Sequence, residues 1–410
     1  MTRRPPSSRT IADPDGEWPS TLDVPALIEA GWRPTPFREF VLKIHSRCDL
    51  ACDYCYVYEM ADQSWRDRPP QMPRPIVDAA AGRIGEHVRR HGLGAVRLVL
   101  HGGEPLLADL DLIVYAVRAV RAAADGANVE VTVQTNGTLL DEPRLRMLAD
   151  LDIRVGVSLD GDAAAQDRHR RRIGGRGSHE RVVAGLDRLT SPRYRRLFAG
   201  LLCTIDVRND PVATYEALAA FAPPRMDFLL PHGNWTTPPP HRDPATADTP
   251  YADWLLRVFD RWYGGRESGT EIRMFGEILH LLLGGRASSE LLGLAPIGVA
   301  VVETDGAIEH SDLLKSVSAR AAATGLHVTR DSFDRVLMMP TSAARQLGEH
   351  GLCAQCRDCR WARVCGGGLY AHRYRSGTGF LNPSVYCADL FRLIDGIHER
   401  VAAGLSPLLR

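Results

Sequence analysis

Lysine is nearly absent from this chain of 410 residues, which contains only Lys43 and Lys315. The other basic residues are arginines, and the 50 basic side chains balance 50 Asp and Glu residues, so the formal net charge is zero. A chain without a surplus of either sign has no strong field to attract nucleic acid or an anionic membrane surface. We therefore expect neither as a partner, and we interpret the preference for arginine as coding bias.

Long hydrophobic runs and a secretory leader are also lacking. No uninterrupted apolar run approaches the roughly 20 residues of a membrane-spanning helix. The basic N-terminus MTRRPPSSRT is not followed by an apolar stretch, so it does not have the pattern of a secretory signal. These absences favour a cytoplasmic location. The length allows two or three domains, and 44% hydrophobic and 24% charged residues are typical of a globular protein.

Cysteines are few, and their placement is uneven. Of nine, three lie between residues 48 and 55, five lie between 353 and 387, and Cys203 stands alone in the apolar stretch AGLLCTI. In a reducing cytosol, clustered cysteines are more often metal ligands or catalytic groups than disulfides. We predict metal binding at the two groups and a small buried core residue at Cys203.

The first half of the chain alternates short β-rich stretches with helical patterns. One helix is predicted from Leu110, Ile113, Val117 and Val120, and another from SHERVVAGLDRL with Ser178 as its N-cap. Six alternations predict an α/β fold, a partial (β/α)6 TIM-like barrel with a mostly parallel sheet, helices outside and ligands at the carboxyl ends of the strands. The predicted strands are 39–44, 96–103, 129–134, 153–160, 199–206 and 226–231.

Composition divides the chain into five segments. A Pro-, Ser- and Arg-rich lead-in, expected to be loosely ordered, precedes the barrel, and a Pro-rich stretch ends the barrel. Two helices follow at about 250–283, then a hairpin at 299–312 and a cysteine-rich region. The predicted boundaries are 1–36, 37–235, 236–295, 296–395 and 396–410.

The first cysteine group has the spacing Cys48-x3-Cys52-x2-Cys55, directly after the first predicted strand. Three thiolates are one ligand fewer than a closed tetrahedral site needs, and a zinc knuckle or three unrelated thiols are the alternatives. The spacing, with Tyr54 immediately before the last cysteine, resembles that of the radical SAM superfamily. The resemblance implies a 4Fe–4S cluster with one iron left open for S-adenosylmethionine, whose reductive cleavage releases a 5′-deoxyadenosyl radical.

Stretches at the ends of the next three predicted strands resemble cofactor-binding elements of the same superfamily: GGEP, QTNGTLL and SLDG. Glycines let the backbone approach the methionyl ammonium, and Glu104 would contact that ammonium or buttress the loop. Arg170 suits bidentate binding of the methionyl carboxylate. The resemblance implies cofactor contacts at Tyr54, Gly102, Gly103, Glu104, Gln134, Asn136, Ser158 and Arg170.

The second cysteine group resembles one cluster site of the SPASM domain, a C-terminal extension of radical SAM enzymes that modify peptides. The matching pattern is C-x2-C-x5-C followed by a distant cysteine, and a four-thiolate zinc site is the alternative. The implied ligands of this auxiliary 4Fe–4S cluster are Cys356, Cys359, Cys365 and Cys387.

Two positions depart from the SPASM pattern. Leu369 and Ser311 stand where the pattern has further cysteines, which in the family belong to another auxiliary cluster. We therefore expect one auxiliary cluster and not two. The role of Cys353 stays open between a replacement ligand, a bystander and a site of transient chemistry.

Longer stretches resemble the FxsB group of radical SAM/SPASM peptide maturases, over about residues 36–395. They include PFREFVLKIHSRCDLACDYCYVYEMADQSW, FLLPHGNW, VVETDGAIEHSDLLKSV and CGGGLYAHRYRSGTGFLNPSVYCADL. The resemblance implies a three-residue cyclophane, formed by joining an aromatic ring carbon to a Cβ two residues on. The implied partners are a ribosomal precursor peptide with a Phe-x-Ser-like motif and an electron donor such as flavodoxin or ferredoxin.

Other outcomes remain open at this point. Thioether formation, epimerisation and sulfatase-type oxidation use the same motifs, and a non-enzymatic zinc-stabilised peptide-binding protein is the alternative of a different class. No peptide-recognition module of roughly 80 residues fits into residues 1–36. Leader binding would then use the barrel rim, the helices at 250–290 or a separate partner.

Crosslinking also requires a general base, because the ring must lose a proton after radical addition. The resemblance implies Asp312, which directly follows a missing cysteine and matches the position of a catalytic Asp in related SPASM enzymes. Glu303, Asp305 and His310 are local competitors, and a solvated residue at the end of the hairpin is the alternative for Asp312.

Overall fold

The computed structural model describes residues 17–265, 269–287 and 289–405. Its strands are β1 Glu39–His45, β2 Leu50–Cys52, β3 Ala95–Gly102, β4 Asn128–Thr135, β5 Ile153–Ser158, β6 Arg170–Arg172, β7 Phe198–Thr204, β8 Arg225–Leu229, β9 Glu271–Ile272, β10 Val299–Val302, β11 Ala307–Glu309 and β12 Ala323–His327. Its α-helices are α1 Val24–Glu29, α2 Arg74–His91, α3 Leu110–Ala123, α4 Glu142–Asp150, α5 Ala163–His169, α6 His179–Leu189, α7 Pro211–Ala219, α8 Pro250–Gly264, α9 Arg273–Leu282, α10 Phe333–Leu337, α11 Pro340–Ala344, α12 Ala354–Arg357, α13 Ala362–Cys365 and α14 Cys387–Leu405. None of the helices in these ranges is long and apolar enough to cross a membrane.

A ten-stranded sheet in the order β12-β11-β10-β1-β3-β4-β5-β7-β8-β9 forms the centre of the molecule. Every pairing from β10 to β9 is parallel, and only β11 and β12 run antiparallel. The six predicted strands correspond to β1, β3, β4, β5, β7 and β8, and a helix follows each before the next of the six begins. The predicted α/β fold with a mostly parallel sheet is confirmed.

The burial of the strands follows from helices on one face and the barrel interior on the other. The central residues of β1, 40–44, are all buried, which is typical of a parallel strand covered on both faces. Lys43 is the one charged residue in that run. Cys203 is buried in β7, as predicted for a small core residue.

The predicted hairpin joins the same sheet. β10 pairs in parallel with β1, with Glu39 opposite Val299 and Leu42 opposite Val302, and β11 turns back along β10. The hairpin therefore extends the barrel sheet, and the segment that follows it contacts side chains of β1 and β3. The boundary at residue 296 stays a prediction.

The described part of the predicted lead-in, residues 17–36, is ordered, contrary to expectation. It contains α1, and Trp18 is buried in a cluster with Tyr370 and Phe380. The backbone of Trp18 also pairs with Gly379 in an isolated bridge. Contacts that are distant in sequence account for this order, so local composition did not reveal it. Residues 1–16 of the lead-in and 406–410 of the predicted tail lie outside the described residues.

Ser178 precedes α6 as predicted, but its side chain does not cap the helix. Its hydroxyl donates to the Arg170 carbonyl, while Asp167 Oδ1 accepts from the amides of Ser178 and His179 at 2.7 and 2.9 Å. A carboxylate from α5 therefore satisfies the first amides of α6. The serine instead helps to fix β6, which carries Arg170.

Candidate active site

The first cysteine group lies at the carboxyl end of β1. Cys48 follows the strand, Cys52 ends β2 and Cys55 lies in the turn after it. β2 pairs with β6 so that Cys52 is opposite Arg170, and the Cys55 amide donates to the Cys52 carbonyl at 3.1 Å. All three thiols line one cavity. Local backbone pairing thus brings the three cysteines together.

The thiols are farther apart than in a closed zinc site. Within the ranges the structure describes, no three cysteine Sγ atoms lie within 4.8 Å of one another. In a four-thiolate zinc site, bonds of about 2.3 Å put the sulfurs only ~3.8 Å apart. A four-iron cube holds its ligand sulfurs farther apart, because each sulfur binds a different iron. The geometry favours an iron–sulfur cluster over zinc at both cysteine groups.

Hydrogen-bond donors surround the sulfurs of the first group. The Leu50 amide lies 3.4 Å from Cys48 Sγ and the Asn136 side-chain amide lies 3.7 Å from it. Two backbone amides of the next turn donate to the Cys55 sulfur. Hydrogen bonds of this kind stabilise thiolate ligands and tune a cluster. The residues present therefore fit a 4Fe–4S cluster with one open iron.

A cavity of about 310 Å³ opens beside these thiols, within the usual size range of small-molecule sites. Its walls come from the cysteine loop and from the carboxyl ends of five parallel strands: β3, β4, β5, β7 and β8. The predicted cofactor residues that line it are Tyr54, Gly102, Gly103, Gln134, Asn136, Ser158 and Arg170.

Asp160, buried at the end of β5, holds both Arg170 and Tyr54. Its Oδ2 lies 3.0 Å from Arg170 Nε and accepts the Tyr54 hydroxyl, and its Oδ1 accepts the Thr204 amide at 2.9 Å. Among the described residues, no group bonds the Nη atoms of Arg170, which therefore remain available for a ligand carboxylate. Burial raises the pKa of Cys52 to about 11, and the charge of Arg170 opposes that shift.

Two of the predicted ribose contacts form a pair on the wall, and the third is used elsewhere. Gln134 Nε2 donates to Ser158 Oγ at 3.1 Å. The Asn136 side chain instead donates to Asp49 Oδ1 at 2.7 Å, and Thr138 donates to the other oxygen of that carboxylate. Asn136 thus fixes the cysteine loop, although part of it lines the cavity.

Glu104 lies behind the cavity wall and has no exposed surface. Its Oε1 accepts the Thr135 hydroxyl at 2.7 Å and the Leu106 amide at 3.0 Å, and its Oε2 accepts the Asn136 amide at 2.7 Å. Burial raises its pKa to about 7, against these donors. Of the two roles expected for Glu104, the structure supports the buttress and not the ammonium contact.

The glycines before Glu104 allow close packing of two loops. A Cβ on Gly102 would overlap the His45 carbonyl oxygen, and a Cβ on Gly103 would overlap the Tyr58 hydroxyl. The Gly103 amide donates to the same His45 carbonyl at 2.9 Å. The GGEP stretch therefore needs glycine to lie against the cysteine loop, a reason that the sequence alone did not supply.

A buried ion pair lies next to the cavity. Lys43 Nζ is 2.6 Å from Asp312 Oδ2, and the two residues are 2% and 8% exposed. His101 Nδ1 lies 3.9 Å from the same oxygen. Burial acts to raise the pKa of Asp312, but Lys43, with help from His101 and Lys315, outweighs it and the pKa is lowered. Asp312 is thus a paired, buried carboxylate, and the alternative of a solvated hairpin residue is wrong.

The competing bases are bound elsewhere or point to solvent. Glu303 lies 2.7 Å from Arg68 and 2.9 Å from Lys315, the imidazole of His310 bonds a serine hydroxyl at 3.1 Å, and the side chain of Asp305 is 41% exposed. Both lysines of the chain therefore neutralise buried carboxylates beside the hairpin.

The second cysteine group gathers five thiols. Cys353, Cys356 and Cys359 lie around α12, Cys365 ends α13 and Cys387 begins α14. The thiols are close enough to alter one another's titration. The Cys356 thiol donates a hydrogen bond to Cys353, which lowers the pKa of Cys353 to about 6. The four predicted ligands lie together, with Cys353 beside them.

Arg373 places a buried guanidinium against this group. It donates to the carbonyls of Gly366, Gly367 and Gly368 at 2.6–3.1 Å. These residues have φ of 60°, 80° and 68°, a backbone conformation that favours glycine. The run of three glycines after Cys365 therefore wraps around Arg373, whose positive charge suits an anionic thiolate site.

The two positions without cysteine are buried among packed side chains. Ser311 and Leu369 have little exposed surface. Next to Leu369, the ring of Tyr370 stacks on Phe380 with centroids 4.3 Å apart, and Trp18 belongs to the same apolar cluster. Organic packing fills this part of the fold, in keeping with the loss of two ligands.

Sequence reasoning missed the roles of four residues at this site: Lys43, His101, Asp160 and His232. Each had a sequence cue. Lys43 is one of two lysines and interrupts an apolar strand, His101 directly precedes GGEP, Asp160 belongs to SLDG and His232 belongs to PHGNW. No local pattern, however, predicts that Lys43 meets a carboxylate 269 residues later in the chain.

Comparison with known proteins identifies the family. Residues 42–210 match the model of the Radical SAM superfamily. The chain is 25% identical over 389 residues to the serine-type anaerobic sulfatase-maturating enzyme of Klebsiella aerogenes, covering 92% of this chain and 88% of that protein. It is 21% identical over 350 residues to the cysteine-type anaerobic sulfatase-maturating enzyme of Clostridium novyi strain NT, covering 83% and 90%.

Solved structures share the fold. Native anSMEcpe with bound AdoMet matches with a TM-score of 0.75 and 20% identity, over 90% of this chain and 99% of that one. Streptococcus suis SuiB bound to precursor peptide SuiA matches with a TM-score of 0.60 and 15% identity, over 88% and 78%. The non-enzymatic zinc protein is thereby rejected. The chain belongs to the radical SAM superfamily and is an enzyme that uses a 4Fe–4S cluster and S-adenosylmethionine.

Proposed function

We propose that this enzyme modifies a ribosomally made precursor peptide by joining an aromatic ring carbon to a nearby Cβ. A peptide substrate is supported by the solved relatives, which include anSMEcpe with bound AdoMet and Cp18Cys peptide and SuiB bound to precursor peptide SuiA. The crosslink rests on the likeness of several stretches to cyclophane-forming maturases.

One observation carries this proposal: two of those stretches, far apart in sequence, meet at the cavity. The backbone amide of Trp235 in FLLPHGNW donates to the Tyr374 carbonyl at 3.0 Å, and the Arg375 guanidinium lies 4.5 Å from the Trp235 ring centroid. His232, which lines the cavity, lies 5.8 Å from His372 between ring centroids. The stretches most specific to the resemblance thus build one wall of the site.

The cavity also offers aromatic surface for an aromatic substrate side chain. Tyr54, Tyr56 and Tyr58 line it, and the Tyr56 ring packs edge-on against His232 with centroids 4.9 Å apart. Offset and edge-to-face contacts with such rings hold an aromatic group in a defined orientation. That orientation is what attack of a carbon radical on a ring requires.

The residues of this chain then have defined tasks. Cys48, Cys52 and Cys55 hold the cluster, while Arg170 and the Gln134–Ser158 pair orient S-adenosylmethionine. When bound, this group supplies the radical that removes a hydrogen atom from the substrate. The substrate must afterwards lose one proton and one electron, and the buried Asp312 region supplies the base.

We further propose that the second cysteine group holds one auxiliary 4Fe–4S cluster, with Cys356, Cys359, Cys365 and Cys387 as ligands. The wide spacing of the thiols and the buried positive charge of Arg373 support this assignment. Such a cluster would accept the electron that the substrate loses. A flavodoxin- or ferredoxin-type donor would reduce the first cluster.

Sulfatase-type oxidation is the second candidate, and the curated relatives favour it. In that reaction a Ser or Cys side chain becomes an aldehyde, so it also loses two hydrogens and no aromatic residue takes part. Mass alone therefore cannot separate the two reactions.

The test uses two synthetic peptides that differ at one position, Phe-x-Ser and Leu-x-Ser, with the reconstituted enzyme. The crosslink predicts loss of two hydrogens from the Phe peptide only, no reaction with hydroxylamine and a new carbon–carbon bond by NMR. An aldehyde captured from both peptides would establish oxidation and reject the crosslink.

A further inference from the structure

We propose that His101 is the group that takes the proton from the substrate, with Asp312 and Lys43 acting behind it as positioning residues. This inference rests on the proposed function only in that a substrate proton must leave after hydrogen abstraction. It holds for a ring proton in crosslinking and for a hydroxyl or thiol proton in sulfatase-type oxidation.

The outer edge of the imidazole faces the reaction space. His101 lines the cavity together with the cluster thiols, Gly102 and Gly103. Its side chain is 25% exposed, whereas its Nδ1 is fully buried. The exposed edge of the ring therefore carries Nε2, for which the described residues provide no hydrogen-bond partner. A free imidazole nitrogen at a cavity wall is placed to accept a proton.

The inner edge of the imidazole faces a carboxylate. Nδ1 lies 3.9 Å from Asp312 Oδ2 and has no hydrogen-bond partner, and Asp312 Oδ1 is also buried without one. A donor and an acceptor left unpaired side by side are costly in a buried site. An approach of about 1 Å, as peptide binding closes the site, would pair them. That bond would set the tautomer with the proton on Nδ1 and the lone pair on Nε2.

Asp312 itself is poorly presented as the direct base. One of its oxygens is held by Lys43 Nζ at 2.6 Å, and the other is buried. His101 and Leu313 form the neighbouring part of the cavity wall. The carboxylate is thus suited to orient His101 and to stabilise the imidazolium that forms, which is the role of the Asp in an Asp–His pair.

The charges around His101 keep it neutral before reaction. Burial and the Lys43 ammonium lower the pKa of His101 to about 4, and Asp312 opposes them. Lys43 and Asp312 are the charged groups that act on the ring, and Lys315 and Tyr56 act on Asp312 in turn. At neutral pH the imidazole is therefore unprotonated and able to act as a base.

The proton and electron balance is complete for either reaction. In crosslinking, the Cβ radical bonds a ring carbon, the C–H bond at that carbon breaks, the proton passes to His101 Nε2 and one electron leaves to an iron–sulfur oxidant. In oxidation, the proton comes from the Ser or Cys heteroatom, the same electron leaves and a C=O or C=S bond forms. His101 later releases its proton to water.

The first test replaces His101 with Asn and measures modified peptide per 5′-deoxyadenosine. His101→Asn should still cleave S-adenosylmethionine with peptide present, while product per cleavage falls about 10²-fold, the usual worth of a positioned base. A substrate-centred radical should accumulate in freeze-quenched EPR samples. A ratio within about twofold of the unmodified enzyme would overturn the proposal. His310→Asn is the matched control, since that buried imidazole bonds Ser342 and should leave the ratio unchanged.

The second test moves the pKa of His101 without touching the ring. Lys43→Met removes a charge that lowers this pKa, so the pKa rises toward its ordinary value of about 6.5. Because a base works only when unprotonated, product per 5′-deoxyadenosine should then fall between about pH 7 and pH 5.5, where the unmodified enzyme stays flat. Lys43→Arg keeps the charge and should restore the flat profile. The same profile in all three proteins would overturn the proposal.

Failure of the proposed function gives a different result from failure of this inference. If the enzyme makes an aldehyde and no crosslink, the crosslink proposal fails, but the ratio and its pH profile still report on His101. If the crosslink forms in the unmodified enzyme and in His101→Asn at the same ratio, the crosslink stands and the role of His101 is rejected.

Discussion

The two cysteine groups of this enzyme use the same ligand in opposite settings. The group at Cys48, Cys52 and Cys55 supplies three thiols in a loop and borders a cavity of about 310 Å³. The second group supplies at least four thiols held by three short or terminal helix segments and enclosed by a glycine turn around Arg373. The first arrangement leaves a coordination position for a small molecule, and the second closes it. The difference assigns radical formation to the barrel and electron acceptance to the C-terminal region.

The largest expected effect comes from removing the open group. Substitution of Cys48, Cys52 and Cys55 by Ala should abolish 5′-deoxyadenosine formation and remove about half of roughly eight irons per chain, since thiolates are the iron ligands in that loop. Anaerobic reconstitution, iron and sulfide analysis and chromatography of the nucleoside products provide the measurement. Any residual radical formation by this variant would break the comparison.

Removing the closed group should separate the two steps of the reaction. Cys365→Ala should lose the auxiliary cluster, leave about four irons per chain and still cleave S-adenosylmethionine, while modified peptide becomes undetectable because the electron has no acceptor. Cys203→Ala, at a buried cysteine away from both groups, is the matched control. An iron count near twelve in the unmodified enzyme would instead reveal another cluster and overturn the expected total of two.

The buried carboxylate provides a smaller and more specific effect. Asp312→Asn keeps the shape of the side chain but removes its charge, so the imidazolium of His101 loses its stabilising partner. Modified peptide per 5′-deoxyadenosine should fall about 10²-fold, with little change in S-adenosylmethionine cleavage. A parallel fall of both quantities would mean that Asp312 acts through substrate binding, and the proton would need another route.

Stability should distinguish the buried pair from surface pairs. Lys43→Met leaves Asp312 buried without its cation, and breaking such a pair costs about 3–5 kcal/mol. Arg225→Ala breaks a pair with Glu271 whose side chains are 70% and 52% exposed, and exposed pairs are worth about 0–1 kcal/mol. Thermal unfolding of the two reconstituted variants should show a much larger fall in Tm for Lys43→Met. Equal shifts would contradict the buried placement of Lys43.

The barrel was predictable because its information is local. Buried β-rich runs and helical spacing fixed all six main strands within one or two residues at most ends, and the cysteine spacing located both thiol groups. The ordering of Trp18 and the capping of α6 by Asp167 were not predictable, because each depends on a contact outside the local pattern.

The active-site residues divide in the same way. Arg170 and Ser158 line the cavity as the motifs predicted, whereas Glu104 lies behind the wall because three donors from the next strand and its own loop hold its carboxylate. The ion pair of Lys43 and Asp312 joins β1 to the segment after β11. Only the addition of the hairpin to the barrel sheet brings these residues together, and no short motif contains that information.

EPR of the reduced enzyme, with and without S-adenosylmethionine, tests the contrast between an open and a closed cluster most directly. In the unmodified enzyme, the cofactor should change one of two overlapping signals. In the variant with Cys48, Cys52 and Cys55 replaced by Ala, the remaining signal should be the same in both samples, because four thiolates leave no iron for the cofactor to bind. A remaining signal that shifts on addition of S-adenosylmethionine would show that the C-terminal cluster has an open iron, and would contradict the assignment of the two sites.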